Sequence, residues 1–72
     1  MAIMYGKIRV YATAGTSINI VSALGATKTV VVPTGATYID VFLAGLEEYT
    51  VTDGTTSEIV LLNYNDFVEV TL

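Results

Sequence analysis

Ser17, Ser22 and Ser57 are the serine hydroxyls from which a nucleophile would be chosen, and a nucleophile needs a base beside it. The chain has no histidine and no cysteine, so that base would be Lys7, Lys28 or a carboxylate, and no spacing in the sequence pairs them. Asp40, Asp53, Glu58 and Glu69 offer carboxylates for a glycosidase-type acid and base, but such a pair works across a cleft that a chain of 72 residues has few walls to build. Asn63, Asn65 and Asp66, with Asp53, could supply oxygens to calcium; their spacing differs from the twelve-residue calcium loop and reads as an Asn-rich turn. Without cysteine or histidine there is no disulfide and no usual transition-metal site. The expectation is a protein that is not an enzyme and uses no cofactor or metal.

The chemistry that does stand out is that of recognition. Tyr5, Lys7, Arg9 and Tyr11 occupy alternate positions, so on a strand they share one face, opposite Ile8 and Val10. Two of the three cations of the chain stand there between two aromatics. Tyrosine and arginine are enriched at interface hot spots, which suggests a docking stripe for an acidic or carbohydrate partner. The competing explanation is an edge strand whose charges block stray sheet pairing.

Residues of this kind are positioned by strands, because period-two alternation and β-branched residues run through almost every segment. The pattern predicts strands at about 3–12, 17–23, 27–33, 37–43, 47–53, 56–62 and 66–72 in one domain, 1–72. Ala14-Gly15-Thr16, Gly25, Pro33-Thr34-Gly35-Ala36 and Asn63 to Asp66 supply turns. Asp53-Gly54 predicts a type I′ hairpin joining Tyr49–Thr52 to Thr56–Leu62. Seven short strands at this spacing predict an all-β, seven-stranded antiparallel β-sandwich. Alternation assigns Ile8, Val10, Ile18, Ile20, Leu24, Val30, Val32, Ile39, Val41, Leu43, Tyr49, Val51, Ile59, Leu61, Val68, Val70 and Leu72 to its core.

Two strands then look apolar on both faces. Tyr38, Asp40 and Phe42 lie opposite Ile39, Val41 and Leu43, and Val60 and Leu62 lie opposite Ile59 and Leu61. Tyr38, Phe42, Val60 and Leu62 are accordingly expected at a subunit contact, unless the register is off by one residue, which would exchange core and surface. Composition agrees: 53% hydrophobic residues exceed what one thin core absorbs, and a domain this small gains from a partner when it lacks disulfides and metals. Homo-oligomerisation is the expectation. The net charge of −4 argues against nucleic acid and anionic membranes as partners. Val10 to Thr27 is too interrupted for a membrane helix. Residues 1–7 show no signal-peptide pattern, so the chain is expected to start at its own Met1.

Gly6-Lys7-Ile8-Arg9-Val10, Gly15 before Ile18-Asn19-Ile20, Pro33-Thr34-Gly35-Ala36-Thr37-Tyr38, Leu43-Ala44-Gly45 ahead of Tyr49-Thr50-Val51-Thr52, and the closing Val68-Glu69-Val70-Thr71-Leu72 resemble the transthyretin-like sandwiches. That group includes carboxypeptidase regulatory-like domains and repeats of bacterial collagen adhesins; an immunoglobulin-like arrangement is the neighbouring fold. The spacing departs from the usual form, since Leu46, Glu47 and Glu48 intervene between Gly45 and Tyr49. Such domains rich in Ala, Thr, Val and Gly are similar to small virion proteins of tailed bacteriophages. The resemblance implies a structural subunit of a larger repetitive assembly, a capsid-decoration or tail-associated protein of a virion, with a bacterial cell surface as the other location. A carbohydrate- or surface-binding module and a small phage-encoded inhibitor of a host enzyme are the alternatives.

Overall fold

Alternating side chains can bury one face of a strand only against a second sheet, and this chain folds into two such sheets. The structure is a computed structural model and describes residues 4–72. It contains β1 (Tyr5–Tyr11), β2 (Ser17–Ser22), β3 (Thr27–Val31), β4 (Tyr38–Ala44), β5 (Glu47–Thr52), β6 (Ser57–Leu62) and β7 (Phe67–Thr71). The seven predicted strands are all present, most of them trimmed at their ends and the fourth shifted by one residue to end at Ala44; the expected start of the first, at residue 3, lies outside the described residues. One sheet has the order β4-β1-β7 and the other β3-β2-β5-β6. Their facing sides share one core of Ile8, Val10, Ile18, Ile20, Val32, Val41, Tyr49, Val51, Val60, Leu62 and Val70.

The pairing is mixed, which corrects the expectation of a purely antiparallel arrangement. β1 pairs antiparallel with β4 but parallel with β7, Lys7 opposite Phe67 and Val10 opposite Val70. A parallel neighbour cannot be joined by a tight turn; β7 reaches β1 only after the chain has built the other sheet. β1 therefore lies in the middle of its sheet, and the edge-protection explanation of Tyr5, Lys7, Arg9 and Tyr11 is overturned.

The second correction concerns β6. Val60 and Leu62, expected at a subunit contact, are buried at 7% and 0% exposure, whereas Ile59 and Leu61 face outward at 67% and 62%. The run Ile59-Val60-Leu61-Leu62 is apolar at both parities, so alternation alone cannot orient it. The hairpin does: Tyr49 pairs with Val60, Val51 with Glu58 and Glu47 with Leu62. A two-residue turn makes each pair of numbers sum to an odd value, so the odd inward residues of β5 sit beside even inward residues of β6.

The turn itself is not type I′. Only Gly54 has positive φ, at 95°, while Asp53 is not among the positive-φ residues. Asp53 instead accepts hydrogen bonds at Oδ1 from the amides of Thr55, at 2.8 Å, and Thr56, at 2.7 Å. These bonds hold its carboxyl below the usual range, Thr56 contributing most. Leu24, assigned to the core by alternation, is 88% exposed. The inward series of β2 ends at Ser22, whose Oγ accepts from the amide of Ala26, and Leu24 stands on the turn beyond.

Candidate interaction surface

Because residues directly opposite on neighbouring strands point to the same side, the register of β4, β1 and β7 writes the outer face of the three-stranded sheet as rows. Tyr5 lies beside Ala44; Phe42, Lys7 and Phe67 form the next row; Asp40, Arg9 and Glu69 the third; Tyr38, Tyr11 and Thr71 the fourth. Five of the seven aromatic residues of the chain and two of its three cations stand on this one face.

Arg9 is its centre. Its Nε donates to Asp40 Oδ1 at 2.8 Å and its Nη2 to Oδ2 at 3.1 Å, a bidentate pair. The guanidinium carbon lies 4.2 Å from the centroid of Tyr38 and 5.2 Å from that of Phe67, so the planar cation is also held by ring quadrupoles. The hydrogen bond from Arg9 is the main cause that lowers the Asp40 carboxyl from its usual value, helped by the charges of Arg9 and Lys7. The same bond raises the already high value of Arg9. Lys7 Nζ sits 3.9 Å from Asp40 Oδ2 and 4.4 Å from the Phe67 centroid.

The aromatic groups hold one another. Tyr5 meets Phe42 edge to face at 5.7 Å and 84°, and Tyr11 meets Tyr38 at 5.8 Å and 59°. Tyr11 donates its hydroxyl to Glu69 Oε2 at 2.6 Å, which raises the phenol above its ordinary value. The half-exposed rings are Tyr5, Phe42 and Phe67, at 51%, 60% and 50%. Large rings are therefore offered to solvent in fixed orientations.

Of the eight residues singled out from the sequence, the structure brings Tyr5, Lys7, Arg9, Tyr11, Tyr38 and Phe42 onto one surface and sends Val60 and Leu62 to the core. Lys7 and Arg9 both pair with Asp40, and Glu69 lies beside Arg9 and accepts from Tyr11, so the face carries charges of both signs among its aromatic rings. Phe67 and Glu69 are members that alternation could have oriented, as they lie opposite Val68 and Val70. Their place beside Lys7 and Arg9 is a matter of topology and left no local signal.

Of the other groups considered for chemistry, Ser22 and Lys28 line one open cleft with Glu47 and Tyr49, and Glu58 and Glu69 line another; the rest lie apart. Ser17, Ser22 and Ser57 belong to the four-stranded sheet, away from Lys7 on the three-stranded one. Asp53 lies in the turn before β6, whereas Asn63, Asn65 and Asp66 lie in the turn after it; Asp66 Oδ2 there accepts from the amide of Asn63 at 3.3 Å. Among the described residues no group of three or more acidic side chains could hold a metal ion. No protein-family model matches this chain, and neither does any curated protein or solved structure.

Proposed function

We propose that this chain is a non-catalytic structural and interaction protein, a transthyretin-like sandwich that serves as a subunit of a larger repetitive assembly and seats on a neighbouring protein through the outer face of β4, β1 and β7. The observation that carries the reading is the gathering of Tyr5, Tyr11, Tyr38, Phe42 and Phe67 around a stacked, bidentate Arg9. Aromatic rings and arginine on a rigid sheet are what protein hot spots are made of, since they contribute large contact area at small entropic cost. The edge-to-face geometry of Tyr5 and Phe42 favours protein over carbohydrate, because a sugar ring stacks on a flat platform and these two rings stand nearly perpendicular. A tailed-phage virion is the proposed setting, on the resemblance of the sequence to small virion proteins alone.

The test is a photo-crosslinking phenylalanine analogue at position 42, irradiated in the cells that make the protein, with light scattering and electron microscopy of the purified chain. The reading expects one discrete adduct, identified by mass spectrometry and lost in Arg9→Ala. A chain that stays monomeric and forms no adduct overturns it. Retention on a glycan array would put carbohydrate binding in its place.

A further inference from the structure

The two edge strands of the four-stranded sheet are complementary, and from this we infer that copies of the chain join head to tail, β6 of one copy pairing with β3 of the next. The inference rests on the reading of the chain as a subunit of a repetitive assembly and names how its copies meet.

Backbone groups come first. At either end of the β2–β3 ladder Ser22 N donates to Ala26 O and Val32 N to Thr16 O. Antiparallel alternation then turns the amides and carbonyls of Ala26, Lys28, Val30 and Val32 toward β2 and leaves those of Thr27, Thr29 and Val31 at the free edge. On the other side Asp53 N donates to Thr56 O, so Glu58, Val60 and Leu62 bond to β5 while Ser57, Ile59 and Leu61 are left free. Each edge thus presents three residues at a spacing of two.

Direction and register follow. Three antiparallel steps separate β3 from β6, so a second copy placed alongside in the same orientation sets its β3 antiparallel to β6. Pairing Thr27 with Leu61, Thr29 with Ile59 and Val31 with Ser57 uses all six free residues and the whole length of β3. On the outer face this covers Val31, Ile59 and Leu61, all more than half exposed in the single chain. β6 carries no proline or lysine to discourage a neighbour.

Charge selects unlike edges over like ones. Lys28 opposes the buried Ile20 and Glu58 opposes the buried Val51, so both stand on the inner face, at opposite rims of the sheet. Neither forms an ion pair among the described residues. In the register above Lys28 lies opposite Val60 of the preceding copy and diagonal to its Glu58, within reach of two long side chains. Two β6 edges would instead bring carboxylates to one face, and two β3 edges ammonium groups. A head-to-tail contact does not close on itself after one step, so it propagates into a ring or a filament.

The chain has no cysteine, so Thr29→Cys and Ile59→Cys variants report on the contact without background. Under mild oxidation a mixture of the two is expected to give a disulfide-linked pair that neither gives alone. Lys28→Glu and Glu58→Lys are each expected to weaken association about two- to fivefold, and the double reversal to restore it. Ile59→Cys cross-linking to itself, or an oligomer that ignores both charge reversals and is dissolved by Phe42→Asp, overturns the inference and leaves the assembly reading standing. A wild-type chain that is monomeric at every concentration overturns the inference, and the adduct at position 42 then decides the assembly reading separately.

Discussion

Leu62 occupies the space that a side chain at Gly6 would need: a Cβ on Gly6 would stand 2.7 Å from Leu62 Cδ1 and 2.9 Å from the carbonyl oxygen of Asn63. The close approach lets a fully buried leucine of one sheet lie against the backbone of the central strand of the other. Gly6→Ala is expected to destabilise by about 1–3 kcal/mol through overpacking. Leu62→Ala alone should cost about 2–5 kcal/mol, and the double variant less than the sum, because the cavity admits the new methyl. Urea denaturation of the three variants checks this.

The orientation of β6 makes neighbouring leucines unequal. Leu62→Ala should be strongly destabilising, whereas Leu61→Ala, on the outer face, should stay within about 0.5 kcal/mol of the wild type in dilute solution. Equal losses at the two positions would contradict the pairing of Tyr49 with Val60.

Tyr49 is buried and donates its hydroxyl to the carbonyl of Ala44 at 2.7 Å, bracing the turn from β4 to β5. Burial, aided by Glu47, raises its phenol above the ordinary value, so it stays protonated and able to donate at neutral pH. Tyr49→Phe should cost about 0.5–1.5 kcal/mol, read as a lowered denaturant midpoint with an unchanged slope.

Acid should loosen the aromatic face. The carboxyl of Asp40 is lowered by its bond from Arg9, and that of Asp53 by the amides of Thr56 and Thr55. A depressed carboxylate contributes stability that is present above its unfolded value, about 3.9, and is lost as pH falls through the lower folded value. Stability should therefore drop below about pH 4. Asp40→Asn should flatten that drop while lowering stability at neutral pH, as a pH series of thermal melts would show.

Arg9→Lys keeps the charge but removes the bidentate fork and the planar stack on Tyr38 and Phe67. Its effect on folding should be small, since the pair is partly exposed. Its effect on the adduct formed at position 42 should be much larger. Parallel melts and cross-linking yields of the same variant separate the two.

Alternation and turn chemistry in the sequence by themselves determined the seven strands, their approximate ends, the inward series of β1, β2, β4, β5 and β7, and the sharing of one face by Tyr5, Lys7, Arg9 and Tyr11. Each is a local consequence of period two and of residues that tolerate turns. The side of β6 was also within reach, since an odd register sum follows from any two-residue turn, but the run Ile59 to Leu62 gives periodicity nothing to hold. Only the tertiary structure decided that β1 is central and that a parallel β7 brings Phe67 and Glu69 beside Lys7 and Arg9. The physical reason is that pairing between residues as far apart in the chain as Ile8 and Val68 depends on how two whole sheets bury their inner faces together. No residue on β1 or β7 encodes that choice alone.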